Sequence, residues 1–250
     1  MEEAGVVDSE EARFLEEYDA EAFDRPSVTV DLVILTASHY QLWALLLPRD
    51  AHPFKGAWAL PGGFVGMNES LEDAAKRVLK DEAGLEEVFL EQLYTFGEPR
   101  RDPRTRVITV TYYALVDETQ VVDALARKGL EPLVRLKTPW QGEAGGPVEA
   151  YEAGRQLELA FDHAEILGMA VKRIRGKVNY APIGFQLLPP TFTLRQLQAV
   201  HETVLGQRLN KDSFRRRMLS SGELEATGEW ETEVGHRPAE LYRFKSLTAI

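Results

Sequence analysis

Runs of apolar residues recur along the first half of the chain, and those at 27–36 (SVTVDLVILT) and 41–49 (QLWALLLPR) are rich in β-branched and aromatic side chains. Separated by a polar link, they predict adjacent strands. Two more runs, 88–99 (VFLEQLYTFGEP) and 106–116 (RVITVTYYALV), predict strands on either side of the loop RRDPRT. Between the two pairs the spacing becomes helical, over roughly Ser70 to Ala83. Asn68 or Ser70 can cap this helix, with Asp73 in capping-box-like spacing to Ser70, and Gly84 suits a left-handed stop. Strands flanking a short helix predict an α/β sandwich with a mixed sheet.

The second half reads differently. Residues 118–136 predict a helix, and the glycine-rich stretch 139–151 (PWQGEAGGPVEAY) predicts a loop or hairpin turn with no functional reading. From 160 to 178 the pattern is an amphipathic helix with Asp162 at its N-cap and Ile166, Met169, Ala170 and Ile174 on its apolar face. Its basic end, Lys172, Arg173, Arg175 and Lys177, complements the helix dipole. Pro182, Pro189 and Pro190 then interrupt regular structure, dividing the chain into a tail (1–24) and domains at 25–180 and 181–250. In the last part Thr193 caps a helix buried through Leu194, Leu197, Val200 and Val204 or Leu205, and Gly206 stops it. Asn210 caps a second helix with Phe214 and Met218 inward. Two helices joined by a short turn, followed by strands at 224–229 and 239–244 around a loop holding His236 and Arg237, predict a winged helix-turn-helix.

Charge sharpens this picture. The net charge is −11, but residues 1–24 hold ten acids and one arginine, so the remainder carries only −2. The acidic run reads as a solvated tail or a short exposed helix. Residues 206–221 hold five basic residues and one acid, a local balance suited to nucleic acid. The chain has no cysteine, which excludes disulfides and thiolate metal sites and suits a reducing cytoplasm. No apolar run reaches the length of a membrane helix, and the acidic N-terminus is unlike a signal peptide, so a soluble cytoplasmic protein is expected.

The chemistry lies around 60–85. LPGG, Leu60 to Gly63, supplies a tight loop whose N–H groups can approach an anion, placing Gly62 and Gly63 beside a ligand. GFVGMNESLEDAAKRVLKDEAGL, 63–85, resembles the Nudix box G-x5-E-x7-R-E-U-x-E-E-x-G-U, where U is a bulky aliphatic residue. Gly63, Glu69, Arg77, Leu79, Glu82, Gly84 and Leu85 match it. Val78 stands where the box has an acid, and Asp81 is a shortened glutamate. On a helix, positions 78, 81 and 82 share a face, where three carboxylates would hold Mg2+. With Val78 in the first place, Asp81 and Glu82 are left as a weak metal pair, or none, and no confident catalytic set remains. Arg77 either orients the acidic face through Asp81 or makes a structural i to i+4 pair.

LPGGFV together with AFDHAEIL, LLPPTFTLRQLQAVHETVLG, NKDSFRRRM and HRPAELYRF is similar to the NrtR-type Nudix-related transcriptional regulators. That resemblance implies a Nudix-type α/β/α sandwich followed by a winged helix. It also implies a degenerate Nudix domain that senses ADP-ribose or a related NAD-derived nucleotide, and repression of genes of NAD synthesis and salvage. The partners expected are a double-stranded DNA operator with an inverted repeat and a second copy of the chain, with no membrane. No cofactor is required for such a role; Mg2+ belongs to the rival reading, an ADP-ribose pyrophosphatase using Asp81 and Glu82. Arg101, Arg104 and Tyr112 are candidate diphosphate and base contacts, and Arg77 is a further candidate ligand contact. His163 either touches the ligand or makes a local helix contact. Lys211, Ser213, Arg215, Arg216, Arg217 and Arg237 are the candidate DNA contacts.

Overall fold

The computed structural model describes residues 9–130, 133–232, 235 and 237–245, without the side chains of 9 and 20. Strand β1 (Ser27–Ser38) is the centre of an eight-stranded sheet. It pairs antiparallel with β2 (Gln41–Leu45) at one end and β5 (Gly62–Phe64) at the other, and parallel with β7 (Val107–Leu115) along its length. Beyond β7 lies β6 (Leu90–Phe96); beyond β2 come β8 (Leu133–Lys137), β9 (Glu149–Glu152) and β10 (Arg155–Leu157). Two short strands, β3 (Leu47–Pro48) and β4 (Trp58–Ala59), form a separate hairpin.

The two-residue period of β1 decides what each sheet face covers. Val30, Leu32 and Ile34 pack against helices α2 (Leu71–Val78) and α3 (Glu118–Lys128). Val33 and Leu35 point the other way, into a cluster with helix α4 (His163–Lys177) and helix α5 (Leu194–Leu205). That second cluster runs on through Phe214 and Met218 of helix α6 (Lys211–Ser220) to Tyr242, so one apolar core joins the sheet to the C-terminal helices. Strands β11 (Leu224–Trp230) and β12 (Glu240–Phe244) pair as the wing, and Phe192 bridges to Tyr242 beside them.

The C-terminal expectations hold in detail. Thr193 and Gln196 form a capping box, Gly206 ends α5 at φ 68°, and Asn210 accepts the Ser213 amide. His236 lies outside the described residues. At the other end, Ser9–Glu17 forms helix α1 with a 3-10 turn at Ala20–Ala22; residues 1–8 lie outside the description.

Two expectations change. The helix expected over 118–136 stops at Lys128, because Gly129 turns left-handed (φ 68°) and β8 is taken by the free edge of β2, Leu42 opposite Leu136. Local helical pattern yields to an available sheet edge. Secondly, the helix begun at Ser70 is regular only to Val78; Leu79–Ala83 widens into a π-helical turn before Gly84. Among the described residues no helix is long and apolar enough to cross a membrane.

Candidate functional site

Asp31 points from β1 to the sheet face that carries α4, and β5 crosses it at Gly62. A side chain at Gly62 has no room: its Cβ would stand 2.4 Å from Asp31 Oδ1 and 2.9 Å from the Val30 carbonyl oxygen. At Gly63 the same test meets only ordinary contact, Val78 Cγ2 at 3.5 Å. The glycine loop therefore lies down on Asp31, forming one wall of a pocket of about 230 Å³. Arg49, Arg101, Arg104, Phe161 and His163 line the rest of it with Asp31.

Arg101 is the keystone, its side chain only 4% exposed. Its Nη2 and Nε donate to the two Asp162 oxygens at 2.7 and 2.9 Å, and Nη2 also reaches Asp31 at 3.3 Å. Burial pulls the guanidinium pKa down, but the Asp162 hydrogen bonds and the Asp31 and Asp162 charges outweigh it, leaving the pKa raised and the cation fixed. Asp162 sits at the α4 N-cap position yet makes no cap hydrogen bond, because its carboxylate is spent on Arg101. Arg104 is closed off likewise by Asp102, at 2.7 and 3.0 Å. His163 is buried, and its Nδ1 accepts the Leu60 amide at 2.9 Å. That bond needs a neutral ring with its proton on Nε2, consistent with a pKa lowered chiefly by burial. Of the candidate ligand contacts, Gly62, Gly63, Arg101 and Arg104 line this pocket, as does His163, for which a local helix contact was the other reading; Arg77 is not part of the lining.

Sequence reasoning missed Arg49, Asp31 and Phe161. Arg49 donates to the Pro53 carbonyl at 2.9 Å and lies over the Phe161 ring at 4.9 Å, while Phe54 meets that ring edge-on at 4.8 Å. Phe54 and Phe161 both have positive φ, 61° and 53°, a conformation non-glycine residues rarely adopt. Nothing in the linear pattern marks a left-handed phenylalanine.

Tyr112 is not in the pocket. It registers with Leu32 across β7 and β1, so its side chain falls on the α2–α3 face, 3% exposed, on the other side of the sheet from Asp31. The first position of the acidic face is filled by a buried valine. Val78 is 2% exposed and packed in the core, while Asp81 and Glu82 are exposed on the widened turn that follows. Arg77 does not pair with Asp81. Its Nη2 and Nε grip Glu69 at 2.6 and 3.0 Å, and Nη2 also donates to the Phe64 carbonyl. Glu69, which could have replaced the missing acid, is thereby engaged: the Arg77 hydrogen bonds, with the Gly66 amide, hold its pKa at about 2. Among the described residues no three His, Cys, Asp or Glu side chains come together as a metal site. With Val78 in the core, the donor set is one carboxylate short of the one an intact box offers Mg2+.

The winged helix offers a second surface. Lys211, Arg215 and Arg237 line a groove of about 950 Å³ between α5, α6 and the wing, together with Arg195 and Arg208. Ser213, Arg216 and Arg217 are exposed on α6 outside that groove, with Arg217 lying over Phe214 at 5.4 Å. Glu202, unforeseen in the sequence, stitches the inter-helix turn by accepting from the Leu209 amide, Gln198 and Arg208 at 2.8–2.9 Å.

Comparison with known proteins meets this geometry at both ends. The NUDIX domain model matches residues 25–136, and the NrtR DNA-binding winged helix domain model matches 184–244. The ADPR responsive transcriptional repressor NtrR of Acinetobacter baylyi is 37% identical over 94% of this chain and 89% of its own. An ADP-ribose pyrophosphatase of Methanocaldococcus jannaschii is 32% identical over 57% of this chain and 71% of its own. The crystal structure of Shewanella oneidensis NrtR complexed with a 27mer DNA superposes with a TM-score of 0.72 at 35% identity, covering 87% of this chain and 93% of that one. With both modules present in order and a relative aligned nearly end to end, the chain belongs to the NrtR family of Nudix-related transcriptional regulators.

Proposed function

We propose that this chain is a transcriptional repressor of NAD-metabolism genes, acting as a cytoplasmic homodimer whose hold on DNA is set by ADP-ribose or a related NAD-derived nucleotide. The observation that carries the reading is Val78: a buried valine stands where the box has a metal-binding acid, in a chain that also carries a winged helix. Recognition is retained where cleavage is not. The Acinetobacter relative's name, an ADPR responsive repressor, points to the same nucleotide.

In this reading residues 25–180 sense and 181–250 bind DNA. Gly62, Gly63, Arg101, Arg104 and His163 surround the diphosphate, with Arg77 bracing the loop through the Phe64 carbonyl. Phe161 lines the pocket and packs edge-on against Phe54, which offers the ligand an aromatic contact beside the arginines. Lys211, Ser213, Arg215, Arg216, Arg217 and Arg237 face the operator. A twofold dimer sets two recognition helices roughly 34–36 Å apart over an inverted repeat. No cofactor takes part.

The test is anisotropy titration of a duplex that the protein itself selects from random-sequence DNA, with and without ADP-ribose. A shift in DNA affinity is expected; no shift with any NAD-derived nucleotide removes the sensing role. In parallel, ADP-ribose incubated with Mg2+ or Mn2+ should remain intact. Metal-dependent turnover that is lost in Glu82→Gln would make the chain a hydrolase.

A further inference from the structure

Helix α4 belongs to both halves of the molecule. At its start His163 lines the pocket proposed for the nucleotide, and Asp162 holds Arg101 in place beside it. Its last turn, roughly 20 Å away at the helical rise, carries Arg175.

Arg175 is buried, 6% exposed, and its guanidinium contacts three neutral oxygens on two segments, the end of α5 and the loop after β8. Nε donates to the Val204 carbonyl at 2.9 Å, Nη1 to the Gly142 carbonyl at 3.0 Å and Nη2 to Thr138 Oγ1 at 2.9 Å. Its plane lies over Trp140 at 4.7 Å. Burial lowers its pKa, and among the described residues its hydrogen bonds all go to neutral oxygens. A buried cation without a counter-charge is costly unless its N–H groups are satisfied, so this geometry tolerates little slippage. Val204 lies in the last turn of α5, where the carbonyls that a continuing helix would bond are free to accept and the dipole is negative.

The glycine-rich segment completes the joint. A Cβ on Gly168 of α4 would stand 1.8 Å from the Gly146 carbonyl oxygen, so the segment lies directly on the helix backbone. Trp140 Nε1 donates to the Gly146 and Pro147 carbonyls at 3.0 and 3.2 Å. These contacts hold Thr138 and Gly142 within reach of Arg175. A small displacement of α4 must therefore either carry the end of α5 with it or break the Arg175 bonds.

We propose that Arg175 is the positioning residue that couples the nucleotide pocket to the winged helix, through α4 and the glycine-rich segment. This rests on the sensing role proposed above. Coupling requires that the two ligands favour different arrangements of a shared element, and α4 is the helix that meets the pocket at one end and α5 at the other.

The test uses the full chain, with Arg175→Lys and Thr138→Val as variants; the second removes a single acceptor and keeps the side-chain shape. Calorimetry gives ADP-ribose affinity, and anisotropy with the selected duplex gives DNA affinity with and without saturating ADP-ribose. For the wild type the ratio of the two DNA affinities is expected to be about tenfold or more. In each variant, ADP-ribose alone and DNA alone should bind within about threefold of wild type while the ratio falls below about twofold. A residue that serves only as a structural brace leaves that ratio unchanged, and an unchanged ratio in both variants overturns the inference while leaving the sensing role intact. A wild-type ratio of one overturns the sensing role, and this inference with it.

Discussion

Arg101 and Asp162 form a two-point ion pair, Nη2 to Oδ1 at 2.7 Å and Nε to Oδ2 at 2.9 Å, that takes a carboxylate away from the helix it begins. The loop that follows β6 is thereby tied to α4 across the mouth of the pocket. Asp162→Asn keeps the shape but removes the charge and leaves one amide N–H facing a guanidinium. The expected cost is about 2 kcal/mol in urea unfolding, because the buried cation loses the carboxylate that accepts its two shortest hydrogen bonds. ADP-ribose binding should weaken as well. Unfolding midpoints and calorimetry of wild type and variant provide the check, and a loss of stability with unchanged ligand affinity would confine Asp162 to a structural part.

Adjacent glycines of the loop make opposite demands. Gly62→Ala drives a methyl into Asp31 and the Val30 carbonyl, so β5 must lift from β1. Gly63→Ala meets Val78 at van der Waals distance. The first substitution should cost about 2 kcal/mol or more and abolish nucleotide binding, the second less than about 1 kcal/mol. Equal losses in the two variants would show that the loop is not seated on Asp31 as described.

Much of this was legible in the sequence where one local rule acted alone. Thr193, Gly206 and Asn210 marked the ends of α5 and α6 because caps depend on neighbours a few residues apart. The LPGG loop was legible through its motif, whereas His163 stayed undecided between a ligand and a helix contact. What escaped depends on distant partners. The period-two rule could place Tyr112 on a strand, but only the pairing with Leu32 decides which sheet face it occupies. Arg77 has Asp81 as its sequence neighbour, yet the turn that folds Gly66 and Glu69 back offers a better two-point partner. The segment 133–137 became a strand because β2 had an open edge, which no local window contains.

His201 makes the winged-helix core sensitive to acid. The ring is buried on α5, edge-on to Phe214 at 5.0 Å, and burial, aided by the Arg217 charge, lowers its pKa to about 4. In the unfolded chain the ring takes up its proton near pH 6.5. A depressed folded pKa therefore gives stability that is full above pH 6.5 and is lost as pH falls toward 4, amounting to about 3 kcal/mol over that window. His201→Leu should lose less stability than wild type between pH 7 and pH 4.5. Parallel urea unfolding curves at both pH values isolate the difference, and identical losses would remove His201 as its source.

The exposed cations of α6 are not equivalent. Lys211 faces the groove toward the wing, and Arg216 is exposed outside it, whereas Arg217 is drawn over the Phe214 ring. A phosphate contact contributes through counterion release, so its loss flattens the dependence of affinity on salt as well as lowering affinity. A base contact instead narrows which sequences bind and leaves the salt slope closer to its original value. In the proposed dimer each substitution is carried twice, so Lys211→Ala or Arg216→Ala should reduce the slope of log affinity against log salt by about 2 if that residue holds phosphate. Arg217→Ala should reduce it less, since leaving the Phe214 ring costs part of what a phosphate returns. Salt titrations of the selected duplex and of a scrambled one separate these roles. A slope that stays at the wild-type value in all three variants would place the DNA on a surface other than α6.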